Sequence, residues 1–243
     1  MRELHALILG LAGGTLLKLS ITGDYRNYVK VGLRPYLIAA AIVLLLVAAL
    51  SLLQAARARR PVLSATAAGP DDHGHGHGRF DVAWLLVLPM LTLLLIAPPA
   101  LGSFSAGRSG TALGTAPTTQ LAPLPDGDPV RLSVLDYASR AIFDHGQSLK
   151  TRQLTLSGFV LPGDGGTWYL TRMVITCCAA DAQPIKVGLT GDVPGDLKTN
   201  DWITVTGTYA DRTDKDPVND EPIPYLTVSS SAPIPAPALQ YES

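Results

Sequence analysis

The chain has 243 residues, of which 47% are hydrophobic and only 16% are charged, whereas a soluble domain usually carries about 25% charged residues. Residues 1–101 hold nine Lys and Arg against five Asp and Glu, a net charge of +4, and residues 102–243 hold ten against fifteen, a net charge of −5. These values exclude a uniform soluble globule and a nucleic-acid binder with a strongly basic surface, and the two cysteines are too few for a disulfide-rich scaffold.

Three apolar stretches predict three transmembrane helices in residues 1–101. Residues 36–56 and 82–101 contain no charged residue, and about 20 apolar residues span the hydrocarbon core of a bilayer as a helix. Because proline lacks a backbone N–H, Pro89 can kink the third helix and Pro98-Pro99 can end it. The first stretch, residues 4–23, is either an uncleaved span or a cleaved signal peptide. It lacks a convincing small-x-small cleavage site, which favours the span.

The positive charges between the spans predict the orientation of the chain in the membrane. The N-terminus and the second loop (57–79) together carry five Lys and Arg, against four in the first loop (24–35) and just after the third span. The positive-inside rule then predicts a multi-pass protein of the cell membrane, in contact with membrane lipid, with a cytoplasmic N-terminus and residues 102–243 outside the cytoplasm.

The second loop also contains a histidine-rich stretch, residues 71–79. His73, His75 and His77 alternate with glycine beside two aspartates, so they could bind a divalent cation such as Zn²⁺ or Cu²⁺. The alternative is a flexible polar linker without a metal. Residues 102–129, rich in Gly, Ser, Thr, Ala and Pro, are predicted to be a flexible linker that leads from the membrane to the soluble part.

The soluble part reads as one short helix followed by five strands. Apolar spacing predicts the helix over residues 131–146. The strands are predicted at residues 153–161, 167–176, 184–190, 202–209 and 225–230. Five short strands in about 80 residues favour a small five-stranded barrel of the oligonucleotide/oligosaccharide-binding (OB) type over residues 130–236, with 237–243 as a tail. A β-sandwich is the main alternative, although seven strands are more usual there.

Adjacent cysteines, Cys177-Cys178, are the most unusual local feature of the sequence. On a straight strand their side chains would point to opposite faces, so they could share a ligand only where the chain bends. Three interpretations are open: a soft-metal or metalloid site completed by Asp181, a strained redox-active disulfide between neighbours, or two small buried core residues. The sequence contains no enzyme signature, so we expect no catalytic residue.

The segment from Arg172 to Pro184, with the string TCCAADAQP beginning at Thr176, resembles the signature of the bacterial YcgQ-like family of predicted two-component permease subunits. The resemblance extends over nearly the whole chain, from paired N-terminal spans through a histidine-rich linker and a third span to a barrel-like domain. Family members often have a histidine before a Pro-Arg-aromatic string in the first loop, and this chain has none there.

This resemblance implies a multi-pass membrane protein that acts with a separate predicted permease, itself similar to permeases of arsenical or metal-ion export. It supports soft-ligand binding at Cys177, Cys178 and Asp181. The leading hypothesis is therefore an accessory permease subunit in metal or metalloid export, whose barrel binds or gates the substrate. The alternatives are an assembly module whose barrel binds protein or envelope polymer around core cysteines, and a membrane-tethered thiol enzyme.

Overall fold

A computed structural model describes residues 2–58, 84–96, 98–113 and 121–242. The contacts divide the chain into two compact units. The first contains the chain up to Tyr25 together with Val31–Pro98, and the second contains Arg26–Lys30 together with Pro99–Ser243. The division falls near the boundary between the two parts of unlike charge, except that Arg26–Lys30 belongs to the second unit.

The described residues of the first unit contain the α-helices α1 (Arg2–Thr22), α2 (Arg34–Ala58) and α3 (Trp84–Leu95). The segments Leu4–Thr22 and Val31–Arg57, which contain most of α1 and α2, are long and apolar enough to cross a membrane. Helix α3 is described over 12 residues and contains Pro89, as expected; the rest of its predicted span lies partly outside the described residues.

Helices α1 and α2 pack closely where α1 carries a glycine. A Cβ atom on Gly13 would lie 2.9 Å from Leu45 Cγ and 3.1 Å from the carbonyl oxygen of Ala41, whereas one on Gly14 would meet nothing within 4 Å. Small residues allow such close approach between membrane helices. Another face of α2 exposes large apolar side chains: Ile42, Val43, Leu46, Leu50 and Leu53.

The core of the second unit is a closed barrel of five strands. These strands are β2 (Leu154–Pro162), β3 (Trp168–Val174), β4 (Gln183–Gly191), β5 (Trp202–Lys215) and β6 (Pro222–Pro233). The barrel closes in the order β2-β3-β4-β6-β5-β2, with β4 and β6 parallel and the other neighbours antiparallel. All five predicted strands are present, and the closed barrel excludes the β-sandwich.

One helix covers the barrel core. The short helix α4 (Ser103–Ala106) and the two-residue strand β1 (Val130–Arg131) precede helix α5 (Val134–Phe143). Ser133 caps α5 by accepting the N–H of Asp136, and Gly146 follows the helix with a positive φ of 67°. The buried face of α5 joins the apolar side chains of the strands in one core: Val134, Tyr137, Ala138 and Ala141.

Segments on both sides of the predicted soluble domain contact the barrel. Part of the predicted linker is packed on the barrel: Thr111 is buried and its backbone N–H donates to the Asp216 carboxylate at 2.8 Å. The predicted tail is also not free, because Tyr241–Glu242 forms strand β7, parallel to β3. Both contacts are made with residues more than 60 positions away, which local sequence patterns cannot indicate.

Candidate functional site

The two cysteines lie in the connection between β3 and β4, here called the thiol loop (residues 175–181). Strand β3 ends at Val174, and Ala179–Asp181 forms a single 3₁₀ turn before β4 begins at Gln183. The cysteines therefore follow the strand rather than lie within it. The chain bends here, which is the condition under which neighbouring thiols can converge.

The thiols do converge, together with one carboxylate. The Sγ atoms of Cys177 and Cys178 lie 3.5 Å apart, and the ligand atoms of Cys177, Cys178 and Asp181 all lie within 4.8 Å of one another. Cys177 is exposed, Cys178 is half-buried, and both thiols are free. Neither cysteine is thus a core residue, and neither forms a disulfide.

Asp181 organises the thiol loop through its carboxylate. Its Oδ1 accepts the backbone N–H of Thr176 at 3.0 Å, and its Oδ2 accepts those of Cys177 at 2.8 Å and Cys178 at 3.4 Å. A hydrogen bond from the Cys177 thiol and these backbone N–H groups lower the pKa of Asp181 to about 2. Asp181 is consequently ionised at neutral pH, and its carboxylate fixes the backbone of both cysteines by accepting their N–H groups.

The same carboxylate keeps its neighbouring thiol protonated. Hydrogen bonds with Asp181 and then with Cys178 raise the pKa of Cys177 to about 11. A thiol with such a pKa is a poor nucleophile at neutral pH because the thiolate is the reactive form. A soft cation can still bind the pair by displacing the thiol protons, since metal ions bind cysteine as thiolate. The arrangement suits ligation better than covalent catalysis.

A distant piece of the chain holds the outer edge of the thiol loop. Val29 and Cys178 form an isolated antiparallel bridge, in which Lys30 N–H donates to the Cys177 carbonyl at 3.0 Å and Ala179 N–H donates to the Tyr28 carbonyl at 2.7 Å. These residues belong to Arg26–Lys30, here called the loop-one segment. Sequence reasoning missed its role because main-chain pairing leaves no mark on residue type.

The other residues singled out from the sequence have separate roles. Thr176 supplies an N–H to Asp181, and Pro184 is buried in β4, where its carbonyl accepts the N–H of Ala112. Arg172 is buried on β3, with its guanidinium 5.0 Å from the centre of the Trp202 ring. The predicted histidine ligands lie outside the described residues: His73, His75 and His77.

Comparison with known proteins adds two matches. The DUF1980 N-terminal domain matches residues 4–112, and the DUF1980 C-terminal domain matches residues 132–242. The second match contains the thiol loop, and the first contains the loop-one segment that is bridged to it. No curated protein and no solved structure matches the chain.

Proposed function

The chain belongs to the DUF1980 family, with both of its domains present, and on this premise we propose that it is an accessory subunit of a membrane permease whose barrel domain binds a soft metal or metalloid ion. The ion is cargo, which the barrel binds and hands to the permease. The resemblance of the string beginning at Thr176 to the YcgQ-like signature supports the permease part, and the geometry of the thiol loop supports ion binding.

One observation carries the ion-binding part: two thiols and a carboxylate converge at one exposed end of the barrel. Two thiolates on a tetrahedral ion with metal–sulfur bonds of about 2.3 Å lie about 3.8 Å apart, close to the 3.5 Å between the Sγ atoms of Cys177 and Cys178. Soft ligands of this kind select soft ions over Mg²⁺ or Ca²⁺. The exposure of Cys177 leaves a side open to the incoming or departing ion.

The proposal includes three transmembrane helices. The order of the segments along the chain supports this number. The loop-one segment and Pro99–Ser243 lie in one compact unit, and helices α2 and α3 lie between them in the sequence. A chain that leaves one side of a membrane and returns to it crosses an even number of times. If α2 crosses, a crossing by α3 would return the chain to the side of the first loop, and we propose that the barrel lies on that side. The positive-inside rule predicts that this side is outside the cytoplasm.

The OB-type interpretation of the barrel also belongs to the proposal. Numbering the five barrel strands along the chain, the closed order is 1-2-3-5-4 with strands 3 and 5 parallel, a Greek-key arrangement of the OB kind. Loops between strands of such barrels commonly carry the binding function, and the thiol loop connects strands 2 and 3. The exposed apolar face of α2 would contact lipid and the permease.

Calorimetry with Cd²⁺ on the full chain in lipid nanodiscs tests ion binding. We expect one tightly bound ion per chain, lost in Cys177→Ser and in Cys178→Ser. A matched control replaces His73, His75 and His77 by alanine and is expected to retain that ion. Unchanged stoichiometry and affinity in both cysteine variants would refute ion binding at the thiol loop.

Affinity purification from native membranes tests the permease part. A multi-pass permease should co-purify with the full chain, and elemental analysis should find a soft ion that is missing when both cysteines are serine. Co-purification of envelope or assembly proteins without a permease would instead support the assembly module.

A further inference from the structure

The thiol loop supplies fewer ligands than a closed metal site contains. Among the described residues, the only His, Cys, Asp or Glu side chains whose ligand atoms come together at this point are Cys177, Cys178 and Asp181. Closed tetrahedral sites have four protein ligands, and a site with three keeps one position open for another molecule. Even when all three donors bind it, an ion on the thiol loop therefore keeps at least one open coordination position.

Asp181 is a poor third ligand because its oxygens already accept hydrogen bonds. Its Oδ2 accepts the backbone N–H groups of Cys177 and Cys178, and its Oδ1 accepts that of Thr176. A carboxylate oxygen has two lone pairs, so Oδ2 has none left and Oδ1 has one. Turning Asp181 toward an ion would break the hydrogen bonds that define the loop. The thiol loop thus offers two thiolates and no more than one oxygen.

The neighbouring segments of the chain do not complete the set. In the loop-one segment, the Lys30 N–H and the Tyr28 carbonyl are already paired with the thiol loop, and an ammonium group has no lone pair to offer an ion. The second loop, with His73, His75 and His77, lies on the opposite side of the membrane from the barrel in the proposed topology. The remaining ligands are therefore left to another molecule.

The thiol pair is accessible to another protein. Cys177 is exposed, and the residues beside the two cysteines carry small side chains: Thr176, Ala179 and Ala180. Thr176 and Ala180 are themselves exposed. Side chains of this size do not screen the Cys177 sulfur, so a second protein surface can bring its own donors within bonding distance of an ion held there.

We propose that the thiol loop is one half of a shared ion site, which the partner permease completes with one or two thiolates of its own. This inference rests on the proposed ion binding and names the chemistry of the partner. Thiolate is the expected donor because soft ions select sulfur ligands. An ion bound by donors of both proteins can pass from one to the other by exchange of one ligand at a time, without release into water.

A small monothiol replaces the partner in the test. β-Mercaptoethanol is titrated into the full chain in nanodiscs with one equivalent of Cd²⁺, and the ultraviolet charge-transfer absorption of the Cd–S bonds is compared with that of the double variant Cys177→Ser, Cys178→Ser. A change from two Cd–S bonds to three or four should raise this absorption by about 1.5- to 2-fold. Native mass spectrometry should show one Cd²⁺ and one or two monothiols on each chain. An unchanged absorption, or removal of Cd²⁺ from the chain without a mixed complex, would overturn the proposal.

The same measurement separates the other possible sources of ligands. The variant with His73, His75 and His77 replaced by alanine should form the same mixed complex. A mixed complex found only in that variant would show that the histidines fill the open positions and would overturn the proposal. One Cd²⁺ bound by two chains would mean that a second copy completes the site and would overturn the assignment to the permease.

Failure of the shared site is distinguishable from failure of ion binding itself. Cd²⁺ that binds to neither the chain alone nor the chain with monothiol would refute both proposals. Cd²⁺ that binds only when the monothiol is present would support the shared site, because the two thiolates of the thiol loop would then need an added ligand to hold the ion.

Discussion

Lys30 N–H donates to the Cys177 carbonyl at 3.0 Å, so the backbone of the proposed ion site is held by the loop between α1 and α2. The next contact along the loop-one segment is made by Tyr241, whose hydroxyl donates to the Asn27 carbonyl at 3.1 Å and accepts the N–H of Leu101 at 2.8 Å. The thiol loop, the loop-one segment and β7 therefore form one continuous set of hydrogen bonds on the barrel.

Removing the backbone N–H of residue 30, which donates to the Cys177 carbonyl, should make the thiol loop less stable without changing either cysteine. Lys30→Pro deletes the N–H, and the loss of one hydrogen bond costs about 1 kcal/mol. We expect the amide of Ala179, in the same bridge, to exchange about fivefold faster. Lys30→Ala removes the side chain but keeps the N–H, so it is the matched control and should leave that exchange rate unchanged. Equal rates in the two variants would contradict the role of the main-chain bond.

Asp181→Asn should make Cys177 more reactive. The substitution removes the charge that keeps the thiol protonated, so the pKa of Cys177 should fall from about 11 toward the ordinary thiol value near 8.5. More thiolate is then present at pH 8. Because nucleophilicity decreases as a thiol becomes more acidic, the net gain in alkylation rate is about tenfold rather than several hundredfold.

Intact-mass measurement of iodoacetamide labelling over pH 6–11 follows this change. The pH at which labelling accelerates should be lower in Asp181→Asn than in the unchanged chain. Asp164→Asn, at an exposed position in the turn between β2 and β3, is the control and should behave as the unchanged chain does. A labelling profile that Asp181→Asn does not shift would show that Asp181 does not govern the thiol.

Ion binding should release protons. Because the pKa of Cys177 is raised, its thiol is protonated at neutral pH, and a cation bound by this thiol must displace its proton. The affinity for Cd²⁺ should therefore rise by at least about tenfold per pH unit between pH 6 and 8. Calorimetry in buffers of different ionisation enthalpy measures the protons released. Release of none would mean that Cd²⁺ binds without the thiols.

Local sequence patterns were sufficient for the barrel strands. Apolar alternation predicted β2 and β5, and short β-rich runs predicted β3, β4 and β6, because strand period and residue type are properties of short segments. The three candidate ligands chosen from the sequence, Cys177, Cys178 and Asp181, lie within 4.8 Å of one another. Strand period alone does not show whether the chain bends so that the two thiols converge. The cause of the bend is the carboxylate of Asp181, which accepts backbone N–H groups from three nearby residues.

The contacts that the sequence did not reveal are main-chain contacts between distant segments. Val29 and Glu242 each pair with the chain at or just beyond the end of β3, and nothing in their residue types marks those partners. Glu242 in particular follows a Pro-rich connection, and its sequence context predicts only a tail. Its role depends on the α5 N-terminus, which lies more than 100 positions earlier.

The buried ion pair between Lys186 and Asp216 should make barrel stability depend on pH. Burial alone would raise the pKa of Asp216, but the Lys186 ammonium at 2.8 Å and the N–H groups of Val218 and Thr111 lower it overall. The folded state then binds the proton less readily than the unfolded chain. This contribution to stability is present above the unfolded value near pH 4 and is lost as the pH falls further.

Breaking this pair leaves an unpartnered buried charge, which costs about 3–5 kcal/mol. Asp216→Asn should therefore lower the free energy of unfolding by about that amount, as measured by urea unfolding of the full chain in nanodiscs. Arg212→Ala breaks the exposed pair with Asp214 and should cost less than about 1 kcal/mol. Similar losses in both variants would contradict the structural role of the buried pair.

Gly13 and Gly14 provide a paired test of the helix packing in the first unit. Valine at residue 13 would place its Cβ 2.9 Å from Leu45 Cγ, so α1 and α2 must separate, and overpacking of this kind costs about 1–3 kcal/mol. Valine at residue 14 meets open space and keeps the hydrophobicity and helix propensity of the first substitution. We expect a lower thermal unfolding temperature for Gly13→Val than for Gly14→Val in nanodiscs. Equal temperatures would mean that α1 and α2 do not pack through Gly13.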